Sequence, residues 1–321
     1  MSIPFRPNSP LRLALLLLAA LAASPSLLFA QRGGEGAIVG RWDLTVKGPD
    51  GEYPSWIEIT RSGHRTLVGG YVGRFGSVRP VGKVELENGG FRFSVPPQWE
   101  QVKEDIVVAG RLEGGSLIGE VAEGGKKLPF EGKRAPALDE ERDVEWGEPI
   151  DLLAGDKLDG WQSRDPSGKH GWKKESGVLV NAAPGQDLVT EQTFRDFRLA
   201  AEFRYPQGSN SGIYLRGRYE VQIEDNFGQP PESHKIGGVY GFLTPSFNAA
   251  RPAGEWQTME ITLVGRRVSV ILNERRILDQ QLIPGITGGA LDSREGEPGP
   301  IFIQGDHGPV EFRKLIVTPA K

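Results

Sequence analysis

Tyr219-Glu220-Val221-Gln222-Ile223-Glu224 is the stretch on which the fold of this 321-residue chain turns. Polar and apolar side chains alternate strictly through it. A period of two marks a β-strand with one buried face. Working outward, Phe197 to Tyr205 and Ser211 to Arg216 alternate in the same way. Trp256 to Val264 leads through Gly265-Arg266 into a return strand, Arg267 to Asn273. Ile301 to Gln304 and Val310 to Val317 close the series. No long helical period interrupts it. Residues 149–319 are therefore expected to form two packed antiparallel sheets of the jelly-roll or lectin-like type.

The preceding part is also β in character. Short apolar runs recur every 10–15 residues from residue 37 to 134, with Gly, Asn, Asp and Pro between them. That spacing predicts a smaller antiparallel meander or barrel over residues 31–134. Gly89-Gly90 and Gly114-Gly115 read as its hairpin turns. Residues 135–148 contain the charge run Asp139-Glu140-Glu141-Arg142-Asp143 and read as a solvated linker. The fold class is all-β throughout.

Residues 1–30 stand apart. Arg6 and Arg12 precede an apolar run from Leu13 to Ala23, and Ala30 offers a small residue at a cleavage point. This is the pattern of a secretory signal, and the strict apolar run is about half of the ~20 residues that a membrane span needs. A periplasmic or secreted protein is expected, with no integral membrane segment after signal removal. The net charge of −4 and the pI near 5.8 disfavour nucleic acid as a partner. The absence of cysteine removes disulfides and thiolate metal sites. His64, His170, His234 and His307 are spread too widely for a histidine-rich metal motif.

Parity assigns faces. Leu199, Ala201 and Phe203 oppose Glu202 and Arg204. Ile213 and Leu215 oppose Tyr214 and Arg216. Val221 and Ile223 oppose Glu220, Gln222 and Glu224, and Ile301 and Ile303 oppose Phe302 and Gln304. Carboxylates, amides, arginines and aromatics on one sheet face suit a sugar, whose C–H faces meet rings and whose hydroxyls meet bidentate groups. Cross-strand ion pairing on a half-exposed sheet explains the same residues. Three local words favour a site: Asn210-Ser211-Gly212, Tyr219 to Asn226, and Gly305-Asp306-His307-Gly308.

Those words, in order, resemble the 3-keto-disaccharide hydrolase family over about residues 149–319. Asp151 to Trp161 is similar to the family's opening segment, with Leu153 and Ala154 where Phe and Asn are usual. Gly171-Trp172-Lys173 with Gly177-Val178-Leu179 follows, with Ser176 where Asp is common. Asn210-Ser211-Gly212-Ile213 with Arg216, then Tyr219 to Ile223 with Asp225-Asn226, resemble its central words. Gly254-Glu255-Trp256-Gln257 carries Gln257 for Asn. Gly299 to Gln304, His307 and Phe312-Arg313 resemble the closing word, with Lys314 for Asn.

The resemblance implies a concanavalin-like sandwich and cleavage of glycosides already oxidised at C3. A C3 ketone acidifies the C2 proton, so a base can remove it and the C1 substituent can leave, with water adding afterwards. Glu202, Glu220 and His307 become candidate proton-transfer groups. Asn210, Arg216, Gln222, Asp225 and Gln304 become candidate substrate or enolate binders. No cofactor is required with certainty; a divalent metal on Glu220 and His307 stays open. Ordinary hydrolysis by two carboxylates also stays open on that face. The alternative to an enzyme is a non-catalytic carbohydrate-binding protein with a lectin-like sandwich. For the N-terminal part, an accessory glycan-binding role is weighed against tryptophans that merely fill a core.

Overall fold

A computed structural model describes Met1 and residues 36–168 and 171–321. The signal expected over residues 1–30 lies, apart from Met1, outside the described residues, as does His170. Strand accounts for 52% of the chain and helix for 1%, so the all-β expectation holds.

Among the described residues, the first unit has eight strands. They are β1 (Gly40–Gly48), β2 (Gly51–Ser62), β3 (Thr66–Val72) and β4 (Arg79–Glu87), then β5 (Gly90–Val95), β6 (Ile106–Glu113), β7 (Ser116–Glu123) and β8 (Lys126–Arg134). Each pairs antiparallel with the next, and β8 returns to β1 with Leu44 opposite Gly132. The unit is thus a closed barrel. Leu44, Ile57, Tyr71, Phe93 and Val108 belong to its core, as expected of an eight-stranded barrel whose interior side chains fill. The β4–β5 turn is one residue earlier than the sequence suggested. Asn88 (φ 48°) and Gly89 (φ 78°) form it, because a two-residue hairpin turn of this hand needs positive φ at both places and Asn tolerates it.

The second unit is a sandwich. Its strands are β9 (Ile150–Asp151), β10 (Trp161–Ser163), β11 (Trp172–Glu175), β12 (Val178–Asn181), β13 (Leu188–Phe194), β14 (Phe197–Arg204) and β15 (Asn210–Leu215). They continue with β16 (Tyr219–Glu224), β17 (Gln257–Val264), β18 (Arg267–Leu272), β19 (Arg275–Leu282), β20 (Gly299–Ile303) and β21 (Val310–Pro319). A five-stranded sheet runs β10-β13-β20-β15-β16. An eight-stranded sheet runs β11-β12-β21-β14-β17-β18-β19, with β9 on β21. Leu199, Phe203, Met259 and Phe312 from the larger sheet join Ile213, Val221, Ile223 and Ile301 from the smaller in one core. The aliphatic parity seen in sequence is what closes these two sheets on each other.

The barrel does not hang free. Trp56 and Val72, both barrel residues, are buried within the sandwich's core. The Trp56 ring meets Phe242 edge to face at 5.5 Å. Arg41 donates to the Pro284 carbonyl at 2.6 Å, and the Gly289 amide donates to the Arg74 carbonyl at 2.9 Å. Truncating a buried tryptophan costs about 3–5 kcal/mol, so this seam is a structural element in its own right. The connecting segment is not simply solvated either. Ala135 is bonded to the Arg41 carbonyl, and Arg266 binds the carbonyls of Ala137 and Leu138. The charge run at residues 139–143 reads as solvent-facing, but the backbone just before it is stapled to both units.

One edge of the five-stranded sheet is covered. The Gln222 amide donates to the Gly238 carbonyl at 2.9 Å, and the Gly237 amide donates back to the Gln222 carbonyl at 2.8 Å. The Tyr240 amide donates to the Glu220 carbonyl at 3.0 Å. The loop at residues 236–243 therefore lies along β16.

Candidate active site

Register turns parity into a row of side chains. Val189 faces Phe302, Phe302 faces Tyr214, and Tyr214 faces Glu220 across four strands. All four lie on the side of the five-stranded sheet opposite Ile213, Val221 and Ile303. Tyr214 and Phe302 stack with ring centres 4.1 Å apart. One step along, Gly212 faces Gln222, and the Gln304 amide donates to the Gly212 carbonyl at 2.9 Å. Gly212 is where glycine is needed. A Cβ there would collide with the Glu220 carboxyl.

Over this face lies a cavity of about 350 Å³, at the small end for ligand pockets. Glu220 lines it and is 4% exposed. Burial pushes its pKa up to about 8, against the bond from Tyr214 and the charge of His307. Its Oε2 is 2.9 Å from the Tyr214 hydroxyl, which is also 2.9 Å from the Gly288 carbonyl. Tyr214 has one proton to donate. When Glu220 is charged, that proton goes to the carboxylate. When Glu220 is protonated, the acid donates to Tyr214 and Tyr214 donates to Gly288. The same neighbours satisfy both protonation states. The Gln222 amide, in the orientation that satisfies its surroundings, donates to Glu220 Oε1 at 3.1 Å and accepts from Asn210 Nδ2 at 3.1 Å.

The loop that carries His307 is fixed from several sides. Asn181 donates to the carbonyls of Gly305 and Gly308 at 2.9 and 3.3 Å. Ser211 donates to the Gln304 carbonyl at 2.8 Å, and Ser209 to the Pro309 carbonyl at 2.6 Å. The Gly305 amide donates to Asp187 at 2.9 Å, and Arg164 pairs with the same carboxylate at 3.2 Å. Burial still raises the Asp187 pKa despite both partners. On the loop itself, Asp306 accepts from His307 Nδ1 at 2.5 Å and raises the imidazole pKa above its ordinary 6.5. That leaves Nε2 to meet a ligand.

Of the residues singled out in sequence, Glu220, His307, Asn210, Gln222 and Gln304 line the cavity together. Gln304 Oε1 is buried and has no hydrogen-bond partner among the described residues, so it offers an acceptor to a ligand hydroxyl. The other three lie elsewhere. Glu202 is on β14 in the larger sheet and is paired with Arg313. Parity tells which face a residue takes, not which sheet carries it. Arg216 has left β15 for the turn, with φ of 53°, so alternation no longer holds. It is fully buried and donates to the Gly265 carbonyl at 2.7 Å and to the Tyr219 hydroxyl at 3.0 Å. Asp225 lies past the end of β16 and accepts from the Gly208 amide at 2.9 Å, holding a turn. No group of three His, Asp or Glu side chains that could hold a metal occurs among the described residues. The divalent ion left open for Glu220 and His307 therefore finds no ready donor set.

The cavity has further lining residues. Tyr214 and Phe302 lie on the polar faces that parity assigns, and Asp306 adjoins His307; it is the strand register that brings them to the site. Asp187, Arg164 and Tyr240 carry no sequence signal of a site. Phe75 and Trp99 come from the barrel.

A buried acid with a two-way hydrogen-bond partner, amides beside it and aromatics around it define a carbohydrate-active sandwich. The chain belongs to the family of the 3-keto-alpha-glucoside-1,2-lyase-like domain, whose family model matches residues 148–318, more than half of the chain. No curated protein matches. Among solved structures, a Parabacteroides distasonis ATCC 8503 protein described as a glycosyl hydrolase is 27% identical, with 57% of this chain and 92% of that one covered and a TM-score of 0.45. A second protein of that organism and description is 23% identical, with 53% and 98% covered and a TM-score of 0.42.

Proposed function

We propose that the protein cleaves glycosides whose sugar is already a ketone at C3, by elimination across C1–C2 followed by hydration. Glu220 is the base. It takes the C2 proton, and the C–H electron pair moves into an enolate delocalised onto the C3 oxygen. Collapse of the enolate forms the C1=C2 bond and expels the C1 oxygen. The His307 imidazolium, held charged by Asp306, gives that oxygen a proton. Water then adds, hydroxyl to C1 and hydrogen to C2, and the net change is hydrolysis. Arg164 and the amides of Gln222, Asn210 and Gln304 bind hydroxyls and the enolate oxygen.

The observation that carries this reading is the state of Glu220. A carboxylate pushed up to about 8 is a stronger base than an exposed one, and Tyr214 stabilises it before and after proton uptake. The purified chain is to be incubated with 3-keto-glycosides and with their unoxidised parents, and the products read by mass spectrometry. Cleavage of the keto compounds alone, lost in Glu220→Gln, is the expected result. Cleavage of both sets alike would replace elimination with ordinary glycoside hydrolysis. Binding without turnover would leave a carbohydrate-binding protein.

A further inference from the structure

The matched family region begins at residue 148, yet Phe75, Gly76 and Trp99 of the barrel line the cavity as well. Phe75 and Trp99 line the same cavity as Glu220 and are among the chain's exposed large apolar side chains, at 49% and 64%. Two exposed rings gathered at one cavity are the kind of patch that marks a ligand-binding groove.

Their positions are held from below. Trp99 lies in the β5–β6 connection beside Glu100, whose carboxylate pairs with buried Arg79 at 2.9 Å and accepts from the Gln98 amide at 2.8 Å. Gln98 in turn accepts from the Ser77 amide at 3.0 Å, tying this connection to the β3–β4 loop that carries Phe75. Trp99 and Tyr240, the latter across the seam on the sandwich side, line the cavity together. The backbones touch closely as well. A side chain at Gly288 would meet the Gly76 backbone, and one at Gly241 would meet Ser77. With Trp56 buried in the sandwich core, the barrel is locked in one orientation over the site.

The geometry points to Phe75 and Trp99 as a binding platform for the leaving group of the glycoside. This rests on the cleavage reading above for what the ligand is. The polar row of Glu220, Gln222 and Asn210 takes the oxidised ring, because the reacting C1 and C2 must lie there. The C1 substituent then extends away from that row, toward the barrel rings. Those rings offer apolar faces and little hydrogen bonding, which suits the C–H face of a second pyranose. The barrel thereby selects disaccharide over small alkyl glycosides, at a site the family region does not contain.

The test uses two ligands with one keto ring: a 3-keto-disaccharide of glucose and methyl 3-ketoglucoside. Binding is measured by calorimetry on the full chain carrying Glu220→Gln, so that no turnover intervenes. Adding Trp99→Ala should weaken the disaccharide about tenfold and leave the methyl glycoside within about twofold. Trp99→Phe should restore most of the loss. Trp99 is largely exposed, so its removal leaves the fold intact. Equal losses for both ligands, or no loss for either, would overturn the platform. Turnover by the chain with Glu220 intact is read separately. Binding of the disaccharide without cleavage ends the cleavage reading and leaves the platform standing on the calorimetry.

Discussion

On the eight-stranded sheet, the outward face of β14 carries Glu202 and Arg204. On the five-stranded sheet, that of β16 carries Glu220 and Gln222. Both strands alternate polar with aliphatic in the same manner. Glu202 is hydrogen-bonded by Arg313, which holds its pKa below the ordinary carboxylate value, and Arg204 pairs with Glu311 at 2.7 Å. Trp256 lies beneath both arginines, at 4.8 Å from Arg204 and 4.3 Å from Arg313. That face is a solvated network of opposite charges. Among the described residues no cation is bonded to Glu220; its side-chain partners are a phenol and an amide, and it is covered by loops from the barrel and by residues 236–243. Proton chemistry follows the covering, not the residue type.

The largest way to break this contrast is to remove each acid in turn. Glu220→Gln should lower turnover of a 3-keto-glycoside about 10³-fold, whereas Glu202→Gln should leave it within about twofold. Equal losses in steady-state rates would erase the distinction between the faces. Next, Gly212→Ala should cost roughly 10–100-fold in kcat, since its Cβ displaces the Glu220 carboxyl; a wild-type rate would mean that this carboxyl's position does not matter.

The pH profile sharpens the comparison further. The kcat/KM should depend on pH through two groups, Glu220, which ionises near pH 8, and His307, which must keep its proton. Asp306→Asn removes the main cause of the raised imidazole pKa, so the limb set by His307 should move to lower pH. A profile that does not move would take His307 out of the reaction.

The smallest effects are on stability, and they have opposite signs on the two faces. A carboxyl whose folded pKa is raised stabilises the fold below its unfolded value, near 4.5, and that share is lost as pH climbs through about 8. Glu220→Gln should therefore melt progressively higher than the parent between pH 5 and 9, by an amount on the order of a few kcal/mol at most. Glu202, with its pKa lowered, stabilises above 4.5 and loses that share on acidification. Glu202→Gln should thus show a slight deficit at neutral pH that vanishes in acid. Melting curves across pH that ran parallel for both variants would contradict the assignment.

How far the sequence could be read follows from the same contrast. Alternation identified the strands and put Tyr214, Glu220, Gln222, Phe302 and Gln304 on polar faces, because a period of two needs no knowledge of partners. It could not say that β14 and β16 belong to different sheets, since strand order depends on contacts distant in the chain. It failed at Arg216, where a positive φ ends the alternation that the reading assumed. Trp99 lies in the connection between β5 and β6, where no alternation marks a face. Its place at the cavity depends on the seam at Trp56, and nothing near residue 99 records that.

The loop along β16 has one more consequence. An outermost strand with open amides and carbonyls is a template on which a second chain can add. Here the Gln222 amide and carbonyl and the Glu220 carbonyl are already occupied by Gly238, Gly237 and Tyr240. The strand that bears Glu220 is therefore closed to intermolecular zippering along these residues, and the covering that desolvates this carboxyl also guards the sheet against its own copies.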